Sequence, residues 1–500
     1  MNANLMLPLI ATARRQPDRT AVKLDDVRVS YADLDAATAR MAGRLRELGV
    51  MPGDRVGLML PNVPEFAVIY YGVLRAGGVV VPMNVLFKRR EVAYYLQDSG
   101  ARLLCAWRGF AEAEAGAADA GAACLLVGPG ELDRMTAEAE PIAVPVDRDG
   151  ADTAVLLYTS GTTGKPKGAE LTHASLGRNA EMSRRLFGTD DQSVVLGVLP
   201  LFHSFGQTCG LNATIGAGGM LTLVPRFDAG KALAVIAADR VTLFQGVPTM
   251  IGALLNYPER DRFDHSTLRL CVSGGASLPV EVLRGFEAAF GCPVLEGYGL
   301  SETSPVASFN RADRERKPGS IGIPIEGVEM RVVDPGGAEL GPGVVGEIVI
   351  RGHNVMKGYW GRPDATAEAI SPDGWFRTGD LARVDEDGYF FIVDRKKDMI
   401  IRGGFNVYPR EVEEVLYQHP CVREAAVIGI PHPELGEEIC AAVVATPGTA
   451  ATPEELREYV KGQLAAYKYP RHVWFVDQLP KTATGKILKR DIELPPELKK

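Results

Sequence analysis

The sequence lacks several patterns that would assign it to a common class of protein. It has seven cysteines in 500 residues, and no two of them form a Cys-x-x-Cys pair. Scattered cysteines of this kind are typical of small buried side chains in a reducing compartment, so neither disulfides nor a zinc site is expected. No run of about 20 apolar residues is present, as a membrane-spanning helix would need. The N-terminus has no basic stretch followed by an apolar core, so we expect no secretory signal and a cytoplasmic protein.

An excess of positive charge and a dinucleotide fingerprint are also missing. The chain has 55 Lys and Arg against 63 Asp and Glu, a net charge of −8, which argues against a nucleic-acid partner. A dehydrogenase should carry G-x-G-x-x-G after an early strand, and the segment GVMPGD (49–54) does not fit that pattern. An ATP-dependent kinase and a binding protein without catalysis remain as alternatives at this stage.

The chain does contain a regular alternation of apolar strands and helices from about residue 20 to 310. The run DRVGLMLP (54–61) predicts a strand, EFAVIYYGVLRAGG (65–78) a helix ended by glycines, and VVVPM (79–83) the next buried strand. The same rhythm recurs up to LRLCVS and PVEVLRGFEAAFG. Such continuous apolar strands separated by helices predict an α/β fold with parallel, helix-covered sheets.

Two changes in sequence texture indicate further units. Residues 319–352 consist of short strands and Pro/Gly turns, as in a small barrel or antiparallel sheet. Near DRKKD (394–398) the charge density rises, and a compact α+β pattern follows to the end. We therefore predict an N-terminal domain over 1–393, a boundary at 394–398 and a C-terminal domain over 399–500.

The segment YTSGTTGKPKG (158–168) combines hydroxyls, glycines and lysines after an apolar strand, and before a helix that Thr172 is expected to cap. Backbone N–H groups, hydroxyls and a lysine on such a loop can surround an anion, so the segment predicts a phosphate-binding loop. The G-x-x-x-x-G-K-[ST] spacing of kinases and GTPases is absent, because Gly161 and Gly164 are only three residues apart. A plain surface loop is the alternative.

Three further segments offer groups that suit a nucleotide. Glu302 in EGYGLSET (296–303) could hold Mg²⁺ beside phosphates, although a solvated loop acid would look the same. Asp380 ends WFRTGD (375–380), where an acid in a tight turn could accept ribose hydroxyls or only form an Asx turn. Lys486 lies in PKTATGKILKR (480–490), a glycine-tipped loop near a basic terminus.

Taken in this order and spacing, the four segments resemble those of the adenylate-forming superfamily, and the chain looks most like bacterial fatty-acyl-CoA synthetases. The resemblance runs from residue 29 to residue 490. It implies a large N-terminal domain of two helix-covered β-sheets plus a small β-barrel, followed by a mobile, small α+β C-terminal domain. A binding protein that had lost catalysis would be expected to lack Lys486, Glu302 or Asp380, and all three are present.

The resemblance implies a two-step reaction. An acid and ATP give an acyl-adenylate and pyrophosphate, and a thiol then displaces AMP. Lys486 would be catalytic, between the attacking carboxylate and the α-phosphate, and His203 would gate or orient the carboxylate unless it is a core histidine. Mg²⁺ would be held by Glu302 and Thr163. The residues that the resemblance assigns to the nucleotide and acyl group are Thr159, Ser160, Gly161, Thr162, Thr163, Lys167, Gly275, Ala276, Glu296, Gly297, Tyr298, Gly299, Thr303, Asp380 and Arg395.

The resemblance also implies that the C-terminal domain rotates between the two steps. Aligned through DRKKD, the hinge residue is Lys397, for which a surface lysine is the alternative. Rotation would withdraw Lys486 and bring the loop RGGFN (402–406) to the site, where Gly403, Gly404 and Phe405 would bind the thiol arm.

The substrate follows less directly from the sequence. Amino-acid-activating relatives carry an aspartate in the segment that matches PLFHSFG (200–206), and none is found between Leu201 and Gly210. The apolar segment 243–256 holds no lysine or arginine for a second carboxylate. We therefore expect a medium- to long-chain fatty acid first, then short or unsaturated acids, then aryl acids. The expected acceptor is CoA, with the phosphopantetheine arm of an acyl carrier protein as the alternative, and the protein could be a monomer or a homodimer.

Overall fold

The structure is a computed structural model that describes residues 3–159, 165–396 and 398–499. Its strands, numbered in chain order, are β1 (Thr20–Leu24), β2 (Val27–Ser30), β3 (Arg55–Met59), β4 (Val79–Pro82), β5 (Leu103–Trp107), β6 (Ala123–Val127), β7 (Thr153–Thr159), β8 (Lys167–Thr172), β9 (Val194–Gly197), β10 (Met220–Leu223), β11 (Leu243–Gly246), β12 (Leu270–Ser273), β13 (Val294–Gly299), β14 (Val306–Phe309), β15 (Ile323–Pro324), β16 (Val328–Val333), β17 (Gly346–Gly352), β18 (Phe376–Val384), β19 (Phe390–Arg395), β20 (Ile400–Arg402), β21 (Phe405–Val407), β22 (Val422–His432), β23 (Gly436–Ala445) and β24 (His472–Phe475).

The α-helices are α1 (Leu7–Arg15), α2 (Tyr31–Glu47), α3 (Pro64–Arg75), α4 (Arg89–Ser99), α5 (Ala111–Ala120), α6 (Leu132–Thr136), α7 (His173–Leu186), α8 (Ala213–Ala217), α9 (Ala229–Asp239), α10 (Pro248–Leu255), α11 (Val280–Phe290), α12 (Pro363–Ala369), α13 (Pro409–Tyr417) and α14 (Pro453–Lys461). A π-helix (Phe205–Asn212) precedes α8, and short 3₁₀ turns include Ser301–Thr303. Among the described residues, none of the helices has both the length and the apolar character needed to span a bilayer.

Two large sheets form the body of the N-terminal domain, as the alternation of strands and helices predicts. One has the order β15-β14-β13-β12-β11-β9-β10-β1-β2, and the other β6-β5-β3-β4-β7-β8. Strands β9 to β13 of the first sheet pair in parallel, and β3 to β6 of the second do the same. The central strands are buried on both faces, which is why they read as unbroken apolar runs in the sequence. This part of the prediction is confirmed.

The connection after β7 differs from the expected strand-loop-helix arrangement. Strand β8 follows the loop and pairs antiparallel with β7, so that Thr159 lies opposite Lys167 at the base of a hairpin. Helix α7 starts only after β8, where Thr172 caps it as expected: its hydroxyl accepts from the amide of Ser175 at 3.0 Å. The predicted loop segment is therefore followed by a strand, and α7 begins at the far end of β8 from Lys167.

The EGYG segment forms most of strand β13, whose glycines allow close packing against the neighbouring strand β14. A Cβ atom placed on Gly297 would lie 2.0 Å from the ring of Phe309, and one on Gly299 would lie 1.8 Å from the carbonyl oxygen of Pro305. Any larger residue would force these strands apart. The two glycines thus fix the position of the turn that follows, which carries Glu302.

A smaller sheet and a separate C-terminal domain complete the fold. The region predicted as a small barrel is an antiparallel four-stranded sheet with the order β16-β17-β18-β19. The C-terminal domain has the order β21-β20-β23-β22, with β24 parallel to β23, and its own buried core around α13 and α14. The α/β class with a distinct C-terminal α+β domain is confirmed.

Candidate active site

The candidate site lies where several parallel strands of the larger sheet end. The chain leaves β11 at Gly246, β12 at Ser273 and β13 at Gly299, and the next residues of each segment meet at one edge of the sheet. In open α/β sheets, ligands bind at such carboxyl ends. The segment after β12, Gly274 to Leu278, forms a backbone platform that we call the shelf.

Lys486 of the C-terminal domain reaches this shelf. A Cβ atom placed on Gly275 would lie 3.2 Å from Cε of Lys486 and 3.7 Å from its Nζ, so the lysine stem lies against the glycine backbone. Gly275 has φ +83°, a conformation that favours glycine. The loop from Lys481 to Ile487 is braced across the domain boundary, because the hydroxyl of Thr249 donates to the carbonyl oxygen of Gly485 at 2.7 Å.

The surroundings of Lys486 make its protonated, charged form less favourable. Burial lowers its pKa from 10.5 to about 8, and the Arg395 guanidinium contributes to the decrease. Asp380 and Glu302 act in the opposite direction, which shows that both carboxylates lie close enough to interact with the amine. The structure thus brings together Lys486, Asp380 and Glu302, which belong to three different sequence motifs.

Asp380 lies inside strand β18, so the expectation of an acid in a tight turn is wrong. It is 6% exposed, and the hydroxyl of Tyr298 donates to its Oδ2 at 2.5 Å, while Nε of Arg395 lies 3.4 Å from its Oδ1. Asp380 and Arg395 are directly opposite in the β18–β19 ladder. Burial raises the pKa of this carboxyl, and Arg395 and Tyr298 act against that increase. Both oxygens already point at partners that a ribose could share or replace.

Glu302 bridges strand β7 and the segment after β17. Its Oε1 accepts from the hydroxyl of Thr159 at 2.9 Å and from that of Tyr359 at 3.1 Å. The amine of Lys167 lies 5.3 Å from the centre of the Tyr359 ring. Thr159, Lys167 and Glu302 therefore meet at the base of the predicted phosphate loop. Ser160, Gly161, Thr162 and Thr163 lie outside the described residues.

Other predicted nucleotide residues form the walls behind the shelf. Oε1 of Glu296 accepts from the amide of Leu278 at 2.9 Å, and burial raises the pKa of this carboxyl to about 7. Ala276 follows Gly275 on the shelf itself. Thr303 is fully buried, and its hydroxyl donates to the carbonyl oxygen of Pro305 at 2.5 Å, so it organises the turn instead of facing the site. Ser301, not selected from the sequence, is the partly exposed hydroxyl of that turn.

His203 lies beside the π-helix at the inner side of the site. Its Nδ1 accepts from the amide of Phe205 at 3.3 Å, which leaves Nε2 to carry the hydrogen. Burial and the charge of Lys486 lower the pKa of His203 to about 3. The ring is therefore neutral near pH 7 and can donate a hydrogen bond, but cannot act as a second cation.

The predicted thiol-binding residues lie on the hairpin between β20 and β21. Gly403 and Gly404 have φ +56° and +82°, and the exposed ring of Phe405 stacks on Tyr467 with centroids 4.7 Å apart. Gly403 contacts Leu435, which belongs to the C-terminal domain itself. Lys397, the predicted hinge, lies outside the described residues.

Sequence reasoning missed Thr249 and Tyr359, which support Lys486 and Glu302. Both contacts join residues far apart in the chain, by 236 and 57 positions, and neither belongs to a motif of charged or glycine residues that would have drawn attention. Within the described ranges, no three His, Cys, Asp or Glu side chains are arranged to hold a metal ion. Mg²⁺ would therefore depend on Glu302 together with substrate phosphates, which suits its preference for few protein ligands.

Comparisons with known proteins identify the family. Residues 9–360 match the family described as AMP-binding enzyme, and residues 411–486 match the AMP-binding enzyme C-terminal domain. The chain is 42% identical to a feruloyl-CoA synthase from Amycolatopsis sp, with 97% of each chain covered. It is 38% identical to a long-chain-fatty-acid–CoA ligase from Bacillus subtilis, over 98% of this chain and 94% of the relative.

The fold is also similar to that of solved enzymes. ATP-bound MatB from Rhodopseudomonas palustris superposes with a TM-score of 0.91 at 37% identity, and the match covers 98% of both chains. The two family matches together span most of the sequence. This chain belongs to the AMP-binding enzymes of the adenylate-forming superfamily and is an AMP-forming acyl-CoA synthetase.

Proposed function

We propose that the chain activates a hydrophobic monocarboxylic acid, with a medium- to long-chain fatty acid as the first candidate, and transfers the acyl group to CoA. The observation that carries this proposal is the position of Lys486 against Gly275, where the charges of Asp380 and Glu302 act on its amine. A carboxylate and an α-phosphate repel each other as they approach, and a fixed cation between them lowers that barrier. ATP would supply the adenylyl group, and Mg²⁺ held by Glu302 would neutralise phosphate charge.

The acyl side of the site supports an apolar substrate. Phe205 packs against Gly274, with its ring 3.0 Å from where a Cβ would be, and Val247 lies beside the shelf. The segment from Leu243 to Asn256 has no cation that could pair with a second carboxylate. The relative named long-chain-fatty-acid–CoA ligase agrees with this choice.

A second candidate, a hydroxylated aryl acid, is supported by Gln245 and by the relative named feruloyl-CoA synthase. Gln245 is 1% exposed, and its amide nitrogen donates to the carbonyl oxygen of Cys209 on the π-helix at 3.0 Å. Its Oε1 has no hydrogen-bond partner among the described residues. An unpaired buried acceptor costs about 1–3 kcal/mol, so an acid with a hydroxyl at that depth would gain affinity.

Pyrophosphate release with a panel of acids decides between these candidates. The panel contains saturated acids from about C2 to C16, amino acids as negative controls, and aryl acids in pairs with and without a ring hydroxyl. The highest kcat/KM should fall on fatty acids from about C8 upwards. Preference for the hydroxylated member of an aryl pair, lost in Gln245→Leu, would establish the second candidate. The best acid is then tested with CoA and with a phosphopantetheinylated carrier protein.

Two half-reactions test the role of Lys486. Lys486→Ala should lower adenylate formation by about 10²–10³ or more, because it removes the cation from the reacting groups. Thioester formation from supplied acyl-AMP should remain largely intact. The matched control is Lys481→Ala on the same loop, since that amine pairs with Glu424 at 2.9 Å, away from the shelf. Equal loss in both half-reactions would remove the proposed role.

We also infer that residues 394–398 form a hinge about which the C-terminal domain turns between the half-reactions. The support is that Lys486 contacts the shelf, whereas the contacts of Gly403 and Phe405 are with Leu435 and Tyr467 of the C-terminal domain. Rotation of the domain would let the hairpin take the place of Lys486 for the second step. We also propose a cytoplasmic location, which the seven free cysteines support. Light scattering distinguishes a monomer from a homodimer.

A further inference from the structure

Arg410 joins the C-terminal domain to two segments of the N-terminal domain. It lies in the first turn of α13, and its side chain is 12% exposed. Its Nη1 donates to the carbonyl oxygen of Ile392 at 2.7 Å, and its Nη2 donates to that of Gly319 at 3.2 Å. Its backbone amide donates to Oδ2 of Asp394 at 3.2 Å. Arg410, which follows the proposed hinge in the chain, thus donates to three acceptors that precede it in the sequence.

Glu414, one turn further along α13, makes a second contact across the same boundary. Its Oε2 accepts from the backbone amide of Val280, the first residue of α11, at 3.4 Å. Its Oε1 lies 3.9 Å from Nε of Arg410. We call Arg410 and Glu414 together the clamp. The two side chains hold α13 against the N-terminal domain at separate points, which restricts rotation as well as translation.

The clamp is connected to the same shelf that Lys486 contacts. The positive charge of Arg410 acts on Glu296 and lowers the pKa of that carboxyl, against the larger effect of burial. Glu296 in turn accepts from the amide of Leu278, at the end of the shelf that starts with Gly274. Glu414 contacts Val280, two residues after the shelf, and Lys486 contacts Gly275 within it. Both residues belong to the C-terminal domain, so a shift of α13 would also move Lys486.

We propose that Arg410 is a positioning residue for adenylate formation: its bonds to the carbonyl oxygens of Ile392 and Gly319 hold the C-terminal domain where Lys486 reaches the shelf. This inference rests on the proposed role of Lys486. A planar guanidinium donates in two fixed directions, as two separate carbonyl oxygens require, whereas a lysine amine has one charged centre. Loss of both bonds should lower the population of the docked orientation by about 10- to 100-fold.

The test uses the full-length Arg410→Met variant, in which a long apolar side chain replaces the stem but not the donors. Pyrophosphate release with ATP and the best acid of the panel should fall about 10- to 100-fold. Thioester formation from supplied acyl-AMP and CoA should change less than about threefold, because that step does not need Lys486 at the shelf. Arg410→Lys should recover only part of the first activity. The control is Arg457→Met on α14, whose partners Glu454 and Glu458 belong to its own helix.

Each outcome decides the matter. If both half-reactions of Arg410→Met fall by similar factors, or if neither falls, Arg410 is not a positioning residue. If Arg410→Met does not fold, as judged by thermal unfolding, Glu414→Ala takes its place and should show the same split with a smaller loss; an unsplit loss there overturns the inference. If Lys486→Ala loses pyrophosphate release but keeps thioester formation, and Arg410→Met does not show this difference, only the inference about Arg410 is overturned. No pyrophosphate release by the wild type with any acid would instead remove the proposed function.

Discussion

Adenylate formation should lose rate above about pH 8, because Lys486 must be protonated to act between two anions. Burial and the neighbouring Arg395 lower the pKa of Lys486 to about 8 despite the opposing carboxylates. A solvent-exposed lysine has a pKa near 10.4 and would stay charged to about pH 9.5. The difference from the ordinary value of 10.5 corresponds to about 3 kcal/mol in favour of the neutral amine, at about 1.4 kcal/mol per pKa unit.

The size of the effect follows from this pKa. About half of the Lys486 amines are charged at pH 8 and about a tenth at pH 9, so kcat/KM should fall about fivefold over that interval and about tenfold per unit above it. Bound ATP places negative charge beside the amine and raises its pKa. The decrease in kcat at saturating substrate should therefore begin at a higher pH than the decrease in kcat/KM.

The assay is a single turnover of acyl-AMP formation by rapid quench between pH 6.5 and 10. CoA is omitted, because its thiol titrates in the same range. Lys486→Arg retains a positive charge throughout, so whatever rate remains should not decrease between pH 8 and 9.5. The pKa is also measured without catalysis by pH-dependent labelling of the Lys486 amine in the free enzyme, with Lys88, whose side chain is 74% exposed, as internal reference.

Two results would refute this reasoning. One is a kcat/KM for adenylate formation that stays constant from pH 7.5 to 9.5 in the wild type. The other is a Lys486 amine that labels with the same pH dependence as Lys88. Either would mean that the lysine is solvated in the free enzyme and that it does not lie against the shelf.

Three further predictions concern neighbouring residues. Gly485→Ala should lower adenylate formation at least tenfold in the single-turnover assay, because its Cβ would lie 3.0 Å from the hydroxyl of Thr249 and φ is +83°; an unchanged rate would contradict the observed packing. Tyr298→Phe should raise KM for ATP about tenfold, since Asp380 loses a buried 2.5 Å hydrogen bond; a change confined to KM for the acid would exclude a ribose site. Lys397→Pro fixes φ and should slow thioester formation far more than pyrophosphate release; parallel losses would place the hinge elsewhere.

Most strands and helices of the N-terminal domain could be predicted from apolar patterns. The strand β12 and the helix α11 show why: four buried residues in a row and then an amphipathic run leave few alternatives. Strand β8 was missed, because its segment KGAELT has a lysine and a glycine where strand formers are expected. Pairing with β7 stabilises the strand despite this composition. The sequence pattern alone predicts that the loop leads directly into a helix.

The candidate site divides in the same way. Lys486, Asp380 and Glu302 could be selected from short motifs, because each follows a glycine within three residues in one of the segments that carry the resemblance. The motif WFRTGD predicts a tight turn at Asp380, whereas pairing with β19 makes this residue part of a strand. The donors that orient these groups, such as Tyr359 and Thr249, come from segments without any local signal.

Residue types and short-range periodicity were enough to predict the kinds of chemical groups present, their order along the chain and the class of fold. The contact of Lys486 with Gly275, the burial that lowers its pKa to about 8, and the hydrogen bond from Arg410 to Gly319 across the domain boundary were found only in the folded chain. Burial and distance arise from packing between residues far apart in the chain, and no local pattern encodes them.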